Sequence, residues 1–260
     1  MESIYELNRK IKGCEKCQLQ DTSNNRLLGE GNRDARVMLI AQAPGEKENK
    51  VGRMFIGPSG KVLDNLLKNA GVSREEIYMT NLIKCMLPGY RKPKQNEIDA
   101  CSEYLDEEIR FVNPAILVPM GYYATRYIFN KYSLKFEGDF PRVIGKLFLV
   151  HDIKVYPLPH PASLLYDDSH KEEMFADYNK LKIFLSVCKW YPLCPMKRFY
   201  EEAKIERKWV ELYCKGDWKS CVRFQKVEKS EPHPASMLPN GEIMEEMWET
   251  FYYLREKLFK

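Results

Sequence analysis

The eight cysteines constrain this chain more than any other feature, because they fall into two separate sets of four. Cys14, Cys17, Cys85 and Cys101 make up the first set, and Cys188, Cys194, Cys214 and Cys221 the second. A chain of 260 residues is long enough to fold on its apolar core without covalent staples. Its first residues, Met-Glu-Ser-Ile-Tyr-Glu, lack the basic stretch followed by an apolar one that marks a secretory signal, so a cytoplasmic location is expected. That compartment keeps thiols reduced, which favours metal ligation over disulfides. Each set has the number that closes a four-thiolate site.

Composition narrows the class further. With 44% apolar and 30% charged residues the chain is neither disordered nor of low complexity. Its clean apolar runs, such as Val37 to Ala41, are strand-sized, so no membrane span is expected. The net charge of +4 permits an anionic partner such as nucleic acid without demanding one.

Along the chain, apolar strand-length runs alternate with helical patterns. Ile4 to Lys12 reads as a helix ending at the Gly13-Cys14-Glu15-Lys16-Cys17 knuckle. Arg36 to Ala43 reads as a strand covered on both faces, followed by a long Gly- and Pro-rich loop and a helix from Lys61 to Asn69 with Ser59 as its cap. The order repeats with strands at Ile77 to Leu82 and Ala115 to Met120 and helices at Gln95 to Phe111 and Tyr122 to Asn130. Strands at Lys146 to Val150 and Ile153 to Leu158, then a helix from Lys171 to Val187, complete the first domain, residues 1–187. This alternation predicts an α/β fold with a mostly parallel sheet, whose working loops follow Ala43, Thr80 and Leu158. From residue 188 to 260 the texture changes to four tryptophans and four cysteines, read as a small Cys-rich extension.

In the first set, one local pair is joined by two distant single cysteines, an arrangement at least as natural for a cubane cluster as for zinc. That spacing resembles the family 4 uracil-DNA glycosylases. Three motifs agree in order and place: Gln42-Ala43-Pro44-Gly45-Glu46 with Gly52-Arg53-Met54-Phe55-Ile56-Gly57 beyond it, Thr80-Asn81-Leu82-Ile83-Lys84-Cys85, and His160-Pro161-Ala162-Ser163. The resemblance covers Cys14 to about Leu185. It implies a three-layer αβα fold, a [4Fe-4S] cluster on Cys14, Cys17, Cys85 and Cys101, and removal of uracil, with other deaminated bases open, from a nucleotide flipped out of DNA.

The same resemblance assigns roles. Phe55 is the platform beneath the base, and Asn81 reads the uracil edge, since one amide both donates and accepts. His160 donates to O2, where negative charge develops as the base departs. The main chain at Gln42 and Ala43 approaches the base. Where the family usually carries Gly-Glu and a closing Glu-Asp pair, this chain has Ala41-Gln42 and Glu48-Asn49, two changes expected to remove carboxylates from the water-orienting region. Glu48 is then the carboxylate left to position water, ahead of Glu46, and Gln42 contacts the base instead. Leu165 is the expected duplex wedge, with phosphate contacts from Lys84, Arg91, Lys92, Lys94 and the helix start at Ser59. A monomer is expected. The alternatives are a lesion-binding relative without hydrolysis and one that traps its sugar covalently through His160.

In the second set neither pair has zinc-knuckle spacing, and Cys194-Pro195 resembles the Cys-Pro step of some iron-sulfur ligands. A second [4Fe-4S] cluster is preferred over zinc, with buried unligated thiols as a third reading. The second His-Pro-Ala-Ser, at His233, is read as coincidence.

Overall fold

The computed structural model describes residues 3–135, 140–150, 153–185, 187–214 and 218–245. Trp248 and the rest of the C-terminal tail lie outside them. The chain divides into two compact units, Met1–Phe184 and Leu185–Lys260.

The first unit is built on one six-stranded sheet. Its strands are β1 (Glu30–Gly31), β2 (Val37–Ala41), β3 (Ile77–Asn81), β4 (Ile116–Pro119), β5 (Phe148–Val150) and β6 (Ile153–Val155), in the order β1-β3-β2-β4-β6-β5. The four inner strands are parallel, and β1 and β5 pair antiparallel at the two edges. Every residue of β2, β3 and β4 is buried, as in strands covered on both faces, including the polar Thr80 and Asn81 at the end of β3. Met38, Ile40 and Leu117 join one core with Leu7 and Ile11 of α1 (Ile4–Lys12) and with residues of two further helices.

Helix α2 (Glu46–Val51) and helix α3 (Pro58–Ala70) follow β2, and α4 (Gln95–Val112) follows β3. Helix α5 (Tyr122–Lys131) follows β4, while α6 (Lys171–Asn179) and α7 (Leu181–Leu185) close the unit. Helices α1, α4 and α5 cover the face of Met38 and Ile40, and α3 packs with α6. Alternation along β2 turns Val37, Leu39 and Ala41, also buried, to the opposite side. This is an α/β layered fold with a mostly parallel sheet.

Three expectations are corrected. Helix α3 starts earlier than Lys61, with Gly57 as its cap and Pro58 in the first turn, so Ser59 is inside the helix. The loop after β2 contains α2, whose short run of charged residues carries no apolar period to announce it. The long closing helix is broken between Asn179 and Leu181.

In the second unit, α8 (Pro195–Glu201), α9 (Arg207–Trp209), a π-helical turn (Val210–Cys214) and α10 (Val222–Glu228) surround a small core of Met196, Phe199, Ile205, Val210, Cys214 and Leu238. The unit begins three residues before the expected boundary at residue 188.

Candidate active site and cysteine clusters

Parallel register places Ala41, the last residue of β2, beside Asn81, the last of β3. The loops leaving these strands therefore meet at the carboxyl end of the sheet, where ligands of such folds bind. An inner cavity of about 20 Å³ lies there, lined by Ala41, Ala43, Pro44, Gly45, Glu48, Met54, Phe55, Ser59, Asn81 and His160. It shares Ala43, Pro44, Gly45, Glu48, Ser59 and His160 with a groove of about 440 Å³. Five sequence-predicted residues, Ala43, Glu48, Phe55, Asn81 and His160, are thus brought together with Ser59.

Each is held by specific contacts. Phe55 adopts a left-handed backbone, φ 52°, a costly conformation for an aromatic residue. Arg74 fixes that turn by donating from Nη1 to the Met54 carbonyl (3.2 Å) and from Nη2 to the Phe55 carbonyl (2.8 Å). Gly60 makes room for it, since a Cβ there would stand 1.9 Å from the Phe55 carbonyl oxygen. The Phe55 ring faces the His160 imidazole with centroids 6.1 Å apart.

His160 caps the short 3₁₀ turn Pro161–Leu165, and its Nδ1 accepts from the Ala162 N–H at 3.2 Å. An accepting Nδ1 leaves the neutral ring with its proton on Nε2. Burial holds the imidazole pKa down at about 4, so the ring is neutral at neutral pH. Asn81 is buried and its Nδ2 donates to Met54 Sδ at 3.2 Å, a weak acceptor that a base carbonyl would displace.

Glu48 is buried and its Oε1 accepts from the Gly57 N–H at 2.7 Å. A Cβ on Gly45 would fall 2.6 Å from Glu48 Oε2, so glycine is needed for that carboxylate to sit here. Glu46 is exposed and paired with Lys50 at 2.7 Å. The expectation about Asn49 is corrected: its Oδ1 accepts from the N–H groups of Asn24 (2.9 Å) and Asn25 (3.2 Å), and its side chain is absent from the cavity lining. The residue at 49 ties two loops together, so its change from carboxylate to amide takes no charge from the cavity. Gln42 lines the outer groove only, and its carbonyl accepts from the Ile83 N–H at 2.9 Å.

Lys84 is also corrected. It is 1% exposed and cannot reach a phosphate. Its Nζ donates to Glu108 Oε2 (2.6 Å), Thr80 Oγ1 (2.7 Å) and the Asn81 carbonyl (2.9 Å), while Glu108 Oε1 accepts from the Gly29 N–H. Nothing in the sequence around Lys84 signals this buried partner, which lies on α4. Arg91 lines the groove and forms two hydrogen bonds with Glu97, which raise its pKa. Lys92 and Lys94 are exposed. Leu165 lines the groove and is 45% exposed, and the neighbouring Tyr166, which also lines it, is 89% exposed.

The thiols of the first set, far apart in sequence, act electrostatically on one another. Cys85 and Cys101 are buried, Cys14 and Cys17 half-buried, and none of the four is in a disulfide. Burial raises the Cys85 thiol pKa, with Cys17 and Cys14 adding to the rise, and burial pushes Cys101 up to about 12, with Cys85 and Cys14 adding. Among the described residues no three His, Cys, Asp or Glu side chains, in either cysteine set, stand in the geometry that holds a metal ion. Two further features fit an anionic cluster here. The Lys84 N–H donates to Cys101 Sγ at 3.2 Å, and Arg26, whose charge acts on Cys85, has a buried Nε without a hydrogen-bond partner. The first set thus supplies four thiols, an amide donor and a nearby cation, the donor set a cubane needs.

Residues 28–181 match the uracil DNA glycosylase superfamily. The chain is 35% identical over 198 residues to a type-4 uracil-DNA glycosylase of Sulfurisphaera tokodaii, covering 74% of this chain and 90% of that one. It is 36% identical to the type-4 enzyme of Archaeoglobus fulgidus, over 70% of this chain and 92% of the other, and 37% identical to that of Saccharolobus solfataricus, over 72% and 88%. The chain belongs to the type-4 uracil-DNA glycosylase family. The superfamily match ends at residue 181, before the second unit begins. No helix among the described residues is long and apolar enough to cross a membrane.

Proposed function

We propose that this chain removes uracil from DNA by hydrolysing the N-glycosidic bond, leaving an abasic site. The relatives named as type-4 uracil-DNA glycosylases support the activity. The observation that carries the residue assignment is the convergence of Phe55, Asn81, His160 and Glu48 on one cavity at the carboxyl end of the sheet.

In this reading the nucleotide leaves the duplex and its base enters from the groove, at a cost of a few kcal/mol. Phe55 supports the base face. The Asn81 amide exchanges its Met54 contact for the O4 and N3–H edge of uracil, which the amino group of cytosine mismatches. As the bond lengthens, negative charge grows on the base, and His160 meets it at O2 with its Nε2 proton. A neutral, preorganised donor needs no proton transfer to do this. Glu48, fixed by the Gly57 amide, orients the water that attacks the sugar carbon. Leu165 and Tyr166 fill the vacated stack, and Lys92, Lys94 and Arg91 hold phosphates.

Cys14, Cys17, Cys85 and Cys101 would hold the [4Fe-4S] cluster of the family. A bound cluster supplies a rigid, anionic cross-link rather than electrons, since glycosidic hydrolysis transfers none. Cys188, Cys194, Cys214 and Cys221 are read as a second metal site, in a cytoplasmic, monomeric protein.

The test is incubation of anaerobically purified protein with a labelled oligonucleotide carrying one uracil, followed by alkali. Strand scission at the uracil position is expected. Binding without scission would favour a lesion-binding protein, and a denaturation-resistant protein-DNA adduct would favour covalent trapping through His160.

A further inference from the structure

Within Leu185–Lys260 all four cysteines of the second set line one cavity of about 160 Å³. They reach it from different local structures. Cys194 and Cys221 cap the starts of α8 and α10, Cys214 ends the π-helical turn, and the Cys188 N–H donates to the Cys214 carbonyl at 2.6 Å. The rest of the lining is mainly apolar, including Trp190, Leu193, Trp218 and Phe224.

One charged side chain interrupts that wall. Arg223 is 3% exposed and lines the cavity. Its Nη1 donates to the carbonyls of Pro234 (3.1 Å), Ala235 (3.0 Å) and Met237 (2.5 Å), and its buried Nε has no hydrogen-bond partner. Among the described residues no carboxylate pairs with it. A buried guanidinium with no countercharge is strongly unfavourable, whereas thiolates bound to metal would supply that charge. The first set shows the same pairing of four thiols with one arginine, Arg26, whose Nε is also without a partner.

Cavity size separates the two metal chemistries. Four thiolates close on one zinc ion at about 2.3 Å and leave no interior space. A volume of about 160 Å³ is several times the roughly 30 Å³ share of one water and suits a cofactor of several atoms.

We propose that this cavity seats a second [4Fe-4S] cluster, ligated by Cys188, Cys194, Cys214 and Cys221 and balanced by the fixed charge of Arg223. The proposal rests on reading the second cysteine set as a metal site and adds the identity of its cofactor. Trp190, Met196, Trp218 and Phe224 would give the cluster a largely apolar wall, and Arg223 would offset its net negative charge.

The experiment is iron, zinc and acid-labile sulfide analysis of the anaerobically purified full chain. It is run on the wild type and on Cys101→Ser, Cys214→Ser, Arg223→Met and Arg223→Lys. The wild type should carry twice the iron and sulfide of a one-cluster chain. Each cysteine variant should lose half, and Arg223→Met should lose more than Arg223→Lys. Stoichiometric zinc beside a single cluster's iron would overturn the cubane and leave the metal site standing. A single cluster's iron with no zinc would overturn both. Full metal retention in Arg223→Met would remove the arginine from the account. Should Cys214→Ser fail to fold, the wild-type iron and sulfide content alone decides.

Discussion

The two cysteine sets place four thiols beside a cation, yet they are embedded differently. The first gathers thiols from residues 14 to 101 and is tied by hydrogen bonds to the candidate site. The Lys84 N–H meets Cys101 Sγ while the Lys84 ammonium holds the Asn81 carbonyl, so one residue joins a proposed cluster ligand to the proposed reader of the base. The second gathers ligands from residues 188 to 221 and sits on a core of a few side chains. If the proposed metal is bound, a unit whose described core is this small would lean on it for stability, whereas the first unit has a buried sheet to fall back on. On the proposed reading the same ligand set would tune a site in one unit and sustain the fold in the other.

The comparison can be broken by substitution. The largest effect is expected at His160: His160→Ala should lower excision about 10²- to 10³-fold, as loss of an oxyanion-hole donor does, with the fold and metal content unchanged. Single-turnover rates and circular dichroism check both halves. Lys84→Met comes next. It leaves Glu108 charged and buried, which costs about 3 to 5 kcal/mol, readable as a lowered denaturation midpoint. Lys84→Met with Glu108→Leu should recover much of that stability without recovering the rate, because the tie to Asn81 stays broken. Full recovery of rate would show that the tie is purely structural.

Cys101→Ser should slow uracil excision more than Cys214→Ser, while Cys214→Ser should expose the second unit to limited proteolysis more than Cys101→Ser exposes the first. The reverse ranking would contradict the division of roles drawn above. Acid should act on His160 with a definite sign. Its folded pKa of about 4 lies below the ordinary 6.5, so its contribution to stability is present above pH 6.5 and is lost as pH falls toward 4. The acid limb of the rate should accordingly lie near pH 4. A limb near 6.5 would mean the ring is solvated. The smallest effect is expected at Lys92→Ala and Lys94→Ala, which should weaken DNA binding equally across sequences and reduce its salt dependence by about one unit each.

The parallel core of the first unit was legible because β2 and β4 are uninterrupted apolar runs, β3 opens on one at Ile77 to Met79, and helices alternate with them. The candidate site was legible where a motif ends a strand, as at Asn81, or caps a turn, as at His160. The partner of Lys84 was not, since Glu108 lies on a helix 24 residues away and only the folded sheet brings the two together. Asn49 misled for a related reason: in sequence it adjoins Glu48, yet its side chain binds the amides of Asn24 and Asn25, contacts set by tertiary structure. In the second unit, spacing alone fixed neither the metal nor the part of His233, which lines the cysteine cavity.

The most direct test of the account is the amount of free uracil released from a single-uracil oligonucleotide by wild-type protein and by His160→Ala under single-turnover conditions. The account predicts stoichiometric uracil from the wild type and a residual rate about 10²- to 10³-fold lower from the variant. Equal release by both, or none from metal-replete wild type that still binds the oligonucleotide, would contradict it.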